Sequence, residues 1–487
     1  MPEKYFTYKS LDELQSDCRY YGVDITFEEK IEALGRPVRI GNRTIGNSIG
    51  IHPMEGCDGT LDGKPDELTF RRWERFGAGG AKLIWGEATA ITPEGLANPR
   101  QLLINEASMP HLKSLLERTR AAHREVYGRD DDLLVGLQLT HSGRYSYRRP
   151  IITYHHAQAD RLTYLDKKNG LKLPSEYPVI TDDELERLED VFVQAIVRVY
   201  RLGFDFVDLK QCHTYLLNEL LGAHTRLGKY GGSFENRTRF IRNVLQKTRN
   251  EVGGSFILAS RINAYDGVPY EKDPATGVGK PIPFETPYPY SFGVDRYGPL
   301  REDLTEPIKL VRLLVEHGVQ MINVSLGSPY YNMHIGRPFE HAPIDGYIPP
   351  EHPLQGIDRH FRITAALQQA FPDLVVVGTG YSWLRQYLVY AGESNIRRKR
   401  VTILATGRGA IAYPDYAKDA LHTGKLKSSN VCIAVSHCTN LMRSKNNALG
   451  QYPAGCVPRD PIYADFLKES LGRKRTAPQE TLDEKKE

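Results

Sequence analysis

Eight short apolar runs are spaced along the chain: 47–54 (NSIGIHPM), 81–88 (AKLIWGEA), 133–139 (LLVGLQL), 204–210 (FDFVDLK), 255–261 (SFILASR), 320–326 (QMINVSL), 374–378 (LVVVG) and 401–407 (VTILATG). They are continuously apolar rather than alternating, as parallel strands buried on both faces are. Helix-period stretches lie between them. The clearest is 182–202, where Leu185, Leu188, Phe192, Ala195, Ile196, Val199 and Leu202 form one stripe, Thr181 and Glu184 a capping box, and Gly203 the stop. Further helices are expected at 108–126, 234–251, 303–317, 359–370 and 382–392. Residues 37–47 predict a hairpin ahead of the first strand.

Eight strands alternating with helices predict an α/β fold, a (β/α)8 TIM barrel, with a doubly wound open sheet as the alternative. The expected organisation is an N-terminal extension (1–34), the barrel (35–425) and a C-terminal extension (426–487). Three connections are long, 143–180, 265–301 and 327–357. Each follows a strand C-terminus and so falls on the catalytic face of a barrel. Together they carry 13 of the 28 tyrosines, the composition of a lid or specificity wall. The tail from about 467 is charged and expected to fray.

Bulk composition changes this picture little. Charged residues make up 25% of the 487 residues and the net charge is +4, so neither nucleic acid nor an acidic membrane is demanded as a partner. The basic run 397–400 (RRKR) reads as a solvated loop. The start of the chain shows no secretory h-region, no apolar run reaches the length of a membrane span, and six cysteines are too few for a disulfide scaffold. A soluble, cytoplasmic protein is expected.

Barrels place their chemistry at strand ends, and the end of the fourth strand is unusual. Lys210, Cys212, His213 and Tyr215 fall within six residues. Other strand ends supply His52 to Cys57, Glu87 to Thr89, Gln138 to His141, Arg261, and the glycine-rich segments 378–382 (GTGYS) and 406–410 (TGRGA). Glycines after the seventh and eighth strands can present backbone N–H groups to a phosphate, and Arg408 would add a charge-assisted contact.

The segment 230–240 (YGGSFENRTRF) resembles the Y-G-G-S-x-E-N-R-x-R-F signature of the old yellow enzyme family, the FMN-dependent oxidoreductases that include 2,4-dienoyl-CoA reductase and trimethylamine dehydrogenase. Residues 138–144 (QLTHSGR), 86–95 (GEATAITPEG) and 407–415 (GRGAIAYPD) match further blocks in order, so the resemblance runs over about 35–460. It implies FMN at the strand C-termini. Gln138 and Arg237 would bond the pyrimidine edge, and backbone near Met54 and Ala88 would touch the ring. Arg261 would lie near the ribityl chain or phosphate. Gly380, Gly407 and Arg408 would take the phosphate, with Gly378 as the alternative to Gly380.

In this resemblance Lys210 and His213 stand where the family carries a His-x-x-His or His-x-x-Asn pair, and Tyr215 where it carries a tyrosine. The implied reaction is NAD(P)H-linked reduction of an activated C=C bond. Lys210 and His213 would hold the activating carbonyl and Tyr215 would protonate carbon. Lys210 departs from the usual histidine. Its ammonium could bind a carboxylate or thioester carbonyl, or could instead pair with Asp208, Glu87 or another acid. Cys212 reads as a packed thiol. The alternatives are an FMN-dependent amine dehydrogenase or demethylase, with the tyrosines as a cage for a cationic amine, and a non-catalytic flavin- or phosphate-binding barrel.

Cluster-bearing relatives carry four cysteines for a 4Fe–4S centre. Here Cys432, Cys438 and Cys456 remain, Val435 occupies a ligand place, and no intact cluster or other metal site is expected. No Rossmann fingerprint follows the barrel. Electrons are therefore expected from NAD(P)H or a separate electron-donor protein, in a chain whose resemblance is compatible with a homo-oligomer.

Overall fold

The computed structural model describes residues 4–166, 169–444 and 446–472. Eight parallel strands close into a barrel, paired in chain order: β1 (Ile49–Ile51), β2 (Leu83–Ala90), β3 (Leu134–Thr140), β4 (Phe206–Leu209), β5 (Ile257–Tyr265), β6 (Val319–Leu326), β7 (Val375–Gly378) and β8 (Ile403–Thr406). β8 pairs with β1 through Thr406 and Ile51 to complete the ring. All eight expected strands are present, and the open doubly wound sheet is excluded by closure.

The expected hairpin is Val38–Ile40 paired with Arg43–Ile45. Ile40 and Ile45 are fully buried and join Leu83, Trp85, Leu134, Phe206, Ile257, Met321 and Ile403 in a cluster that fills the lower barrel. Burying side chains of this size stabilises by about 1.5–3 kcal/mol each. Gly136 of β3 belongs to the same layer, where a Cβ would meet the Phe206 ring at 2.3 Å. Only glycine admits that aromatic ring.

The helix Asp182–Leu202 runs as the apolar stripe predicts. Its capping box is closed by Thr181 N–H donating to Glu184 Oε2 (2.7 Å) and Glu184 N–H donating to Thr181 Oγ1 (3.2 Å). Gly203 ends it at φ 85°. Other expected helices shift in detail. The 234–251 stretch divides into Phe234–Arg237 and Arg239–Val252, and the 359–370 helix begins at Pro353, capped by His352. Helices Leu11–Tyr20, Glu67–Ala78, Tyr416–Thr423 and Pro461–Ser470 were not anticipated.

The basic run 397–400 is a largely exposed turn after a helix end, as expected, in which Arg397 pairs with Glu32 (2.9 Å), and Arg398 and Arg400 with Asp24. One expectation is corrected. The tail does not fray from 467, because 467–470 complete the helix Pro461–Ser470; the rest of that expectation, beyond 472, lies outside the described residues. The long connections carry small hairpins of their own, Tyr164–Asp166 with Leu171–Lys172 and Tyr270–Lys272 with Gly279–Pro281.

Candidate active site at the barrel mouth

Side chains alternate in and out along a strand, so residues two apart share the barrel interior. Phe206, Leu134, Ile257 and Met321 lie in the apolar plug. Two and four residues on, the same inward columns read Asp208 and Lys210, Gly136 and Gln138, Ala259 and Arg261, Asn323 and Ser325. The interior thus passes from apolar at the hairpin end to polar and charged at the strand C-termini.

Asp208 is the floor of this polar layer. Its carboxylate accepts from Trp85 Nε1 (2.7 Å), Gln138 Nε2 (2.5 Å) and the Arg261 backbone N–H (2.7 Å). Burial pushes it up to about 6 despite these donors. Gln138 is therefore anchored, with its carboxamide oxygen free of Asp208. Arg261 is buried, makes no ion pair within 4.0 Å among the described residues, and has an Nε without a hydrogen-bond partner. His52, at the end of β1, accepts from Asn323 Nδ2 at Nδ1 (3.0 Å) and leaves Nε2 unpartnered. Burial and the nearby Arg261 charge hold it well below the usual histidine range, hence neutral.

The chain leaves β4 through two consecutive left-handed residues, His213 (φ 64°) and Thr214 (φ 58°). This conformation costs a non-glycine residue about 1–2 kcal/mol and is rarest for a β-branched one. Asn218 Oδ1 accepts from Thr214 N–H (2.6 Å) and Thr214 Oγ1 bonds Ser328 Oγ (3.0 Å), which hold the turn. Tyr215 then begins the helix Leu216–Leu221 as its N-cap. The turn brings Lys210 Nζ 3.8 Å from the centre of the Tyr215 ring. His213 Nε2 shares a hydrogen bond with Ser325 Oγ (3.0 Å) and stays neutral, held far below its usual value by burial and the charges of Arg261 and Lys210.

Lys210 does have an acidic neighbour, and it is neither Asp208 nor Glu87. Glu55 Oε1 lies 4.0 Å from Lys210 Nζ. Glu87 instead accepts from Trp73 Nε1 (2.9 Å) and pairs with Arg72 in a separate buried network with Asp58. Glu55 accepts from Asn98 Nδ2 (3.0 Å) and is pushed up to about 7, by burial and by Glu87 against the pull of Lys210. Tyr215 OH lies 2.8 Å from Tyr330 OH, and the Tyr330 ring stacks on Tyr145 at 3.6 Å between centroids. Glu55, Tyr145 and Tyr330 were given no role by the sequence. Glu55 stood in the quoted end of the first strand, and the two tyrosines in the flagged loops.

Arg237 already has protein partners. It is 3% exposed, but its guanidinium is bound to Glu306 (2.6 and 3.0 Å) and to the carbonyls of Gly232 and Leu221. The turn from Ser233 to Arg237 folds the side chain back onto its own loop and onto the helix Thr305–Glu316. The unpaired buried guanidinium inside the barrel is that of Arg261.

At the ends of β7 and β8, Gly380 has φ 97°, and a Cβ on Gly407 would strike Met54 Sδ at 2.6 Å. Ala88 offers its carbonyl to Gln101 Nε2 (3.0 Å). Arg408 donates to Pro338 O (2.7 Å) and leaves Nη1 unpartnered. Beside it lies Arg337, which sequence reasoning missed. It donates to Thr439 Oγ1 (2.5 Å) and leaves Nε and Nη2 unpartnered. Burial, Arg408 and Arg443 push Arg337 down to about 9. Two adjacent guanidinium groups with no carboxylate within 4.0 Å among the described residues call for an anion. The orphaned donors, the glycine cradle and the isolated Arg261 fit an aromatic cofactor carrying a phosphate, as FMN does.

Cys432, Cys438 and Cys456 line one cleft with Arg408. Among the described residues no group of three or more His, Cys, Asp or Glu side chains is set to hold a metal ion.

Comparison with known proteins agrees with this architecture. The family model for the NADH:flavin oxidoreductase / NADH oxidase family matches residues 33–278. An NADH:flavin oxidoreductase of Gibberella zeae is 26% identical over 263 residues, 51% of this chain and 56% of that protein. An NADPH dehydrogenase of Halalkalibacterium halodurans is 30% identical over 227 residues, 45% of this chain and 60% of that protein. The chain thus spans under two thirds of the length of these relatives. Among solved structures, 2-naphthoyl-CoA reductase with 2-naphthoyl-CoA superposes at TM-score 0.64 with 17% identity, over 89% of this chain and 58% of that one. The old yellow enzyme homologue of Zymomonas mobilis does so at 0.56 with 18% identity, over 82% and 95%. With half of its length under the family model and a closed barrel in common with these structures, the chain belongs to the NADH:flavin oxidoreductase / NADH oxidase family.

Proposed function

We propose that this chain is an FMN-dependent oxidoreductase that takes reducing equivalents from NAD(P)H, or from a separate electron-donor protein, and reduces an activated C=C bond of a small molecule. The observation that carries the reading is the meeting of an ammonium and a phenol, Lys210 and Tyr215, at 3.8 Å at the mouth of a barrel where Arg261, Arg337 and Arg408 keep unpartnered nitrogens.

FMN would be held by Arg261 and Gln138 at its pyrimidine edge, by backbone near Met54 and Ala88 at the ring, and by Gly380, Gly407, Arg408 and Arg337 at the phosphate. Bound there, it supplies a two-electron hydride carrier. Lys210 and His213 orient the substrate's activating carbonyl and oppose the negative charge that grows on its oxygen. Tyr215 gives a proton to the α-carbon. Burial and Tyr330 raise Tyr215 well above the usual phenol range, so the proton is in place at neutral pH. Burial lowers Lys210 and Glu55 raises it, and with Glu55 near half-ionised at neutral pH that carboxylate does not fully offset the ammonium. That favours an alkene conjugated to a carboxylate or thioester. A cationic amine is disfavoured, because the Lys210 ammonium already covers a face of Tyr215.

The test is the absorption spectrum of the purified protein after incubation with FMN, then anaerobic addition of NADH or NADPH. Flavin bands that bleach and return on adding an activated alkene support the reading. A protein that retains no FMN overturns it, and flavin bands that bleach with an amine but not with NAD(P)H would move it to the dehydrogenase class.

A further inference from the structure

We propose that Tyr330 is the proton-delivery residue of this site, passing a proton from solvent to Tyr215 in each turnover. The inference rests on the alkene-reductase reading above. That reduction consumes one hydride equivalent, ultimately from NAD(P)H, and one proton, which Tyr215 gives to carbon. Tyr215 must then recover a proton before the next cycle. It is 4% exposed, so water has little direct access to it. Its hydroxyl is bonded instead to Tyr330 OH at 2.8 Å, and Tyr330, on the connection after β6, is 38% exposed. One phenol is sealed in the site, the other belongs to a partly exposed residue, and the two hydroxyls are bonded.

The surroundings suit a relay rather than a static contact. Tyr145 stacks on Tyr330 at 3.6 Å with an 8° interplanar angle, which fixes the ring without taking a polar partner from its hydroxyl. The charged and titratable groups around the pair are Lys210, on the Tyr215 ring, Glu55, Cys57, Tyr145 and Arg443. Lys210 and Arg443 oppose the transient negative charge on the two oxygens. Glu55 opposes the cations and gains weight as it ionises. As the Tyr215 O–H bond breaks toward carbon, the Tyr330 O–H bond breaks toward Tyr215 oxygen, and water reprotonates Tyr330. One proton enters and one leaves, and neither tyrosine changes oxidation state.

The experiment follows reoxidation of the reduced, FMN-loaded protein by cyclohexenone or cinnamaldehyde in mixtures of H2O and D2O. Ferricyanide serves as a second acceptor whose reduction needs no carbon protonation. Two protons in flight predict a curved dependence of the alkene rate on deuterium fraction. Tyr330→Phe should slow the alkene step about tenfold or more and make that dependence linear, while reduction by NAD(P)H and reoxidation by ferricyanide stay unchanged. A Tyr330→Phe protein with unaltered rate and curvature overturns the relay. So does equal slowing with both acceptors, which would show a packing role. Failure of the underlying reading looks different: Tyr215→Phe without effect on the alkene step, or wild-type protein that reduces neither probe alkene, removes the proton donor itself.

Discussion

Glu55 Oε1 stands 4.0 Å from Lys210 Nζ, and burial pushes Glu55 up to about 7 even with that ammonium beside it. The native state therefore holds this proton where the unfolded chain, with a glutamate near 4.3, has already lost it. Stability contributed here is present below about pH 4.5, falls as pH rises through about 7, and changes no further above.

Glu55→Gln removes that dependence. The melting temperature of the variant relative to wild type should rise between pH 5 and 7.5 and level off beyond. Asp208 and Asp266, both pushed up to about 6 by burial, remain in each protein and cancel in the difference. A pH-independent difference would mean that Glu55 titrates as an ordinary carboxylate.

Lys210→Met tests the substrate class. A charge-assisted hydrogen bond contributes about 1.5–3 kcal/mol, so KM for a carboxylate-bearing alkene should rise about tenfold to a hundredfold. For a neutral enone the change should be smaller, and flavin reduction by NAD(P)H should be untouched. Equal losses on charged and neutral alkenes would assign Lys210 to packing on Tyr215.

Arg237 is paired with Glu306 while Arg261 has no ion pair among the described residues, and paired variants decide which of the two serves the flavin. Arg237→Ala leaves Glu306 without its partner and should destabilise by about 2–3 kcal/mol, below the about 3–5 of a fully enclosed pair, because Glu306 keeps 29% of its side chain exposed. Its flavin affinity and redox potential should match wild type at temperatures where it is folded. Arg261→Met should fold normally and lower the flavin potential or FMN retention, since a cation beside a reduced flavin stabilises its negative charge. The opposite pattern, measured by urea melts and dye-equilibrated reduction, would restore Arg237 to the cofactor.

The fold was legible because continuous apolar runs leave few alternatives to a buried parallel sheet, and eight of them at βα spacing are enough to close a barrel. The inward columns followed from period-two alternation once closure was known: Phe206, Asp208 and Lys210 read upward from plug to mouth. Arg237 was named from a motif that records a residue type and not the path of its loop, and the Ser233–Arg237 turn directs its side chain to Glu306. Glu55, Tyr330 and Arg337 were not legible as site residues. Glu55 meets Lys210 across 155 positions and Tyr330 meets Tyr215 across 115, separations that only barrel closure and loop return bring together.

Arg337 gives the most direct check on the cofactor, since it needs no substrate. It and Arg408 are neighbouring guanidinium groups with unpartnered nitrogens, and neither has a carboxylate within 4.0 Å among the described residues. If they serve the FMN phosphate, the protein must prefer FMN to riboflavin, which lacks it, and Arg337→Ala must shrink that preference. Losing one charge-assisted contact worth about 1.5–3 kcal/mol predicts a fall in FMN affinity of about tenfold to a hundredfold, with riboflavin affinity nearly constant. Flavin fluorescence quenching reads both. An unchanged FMN preference would remove Arg337 from the phosphate and leave Arg408 and the glycine N–H groups to hold it alone.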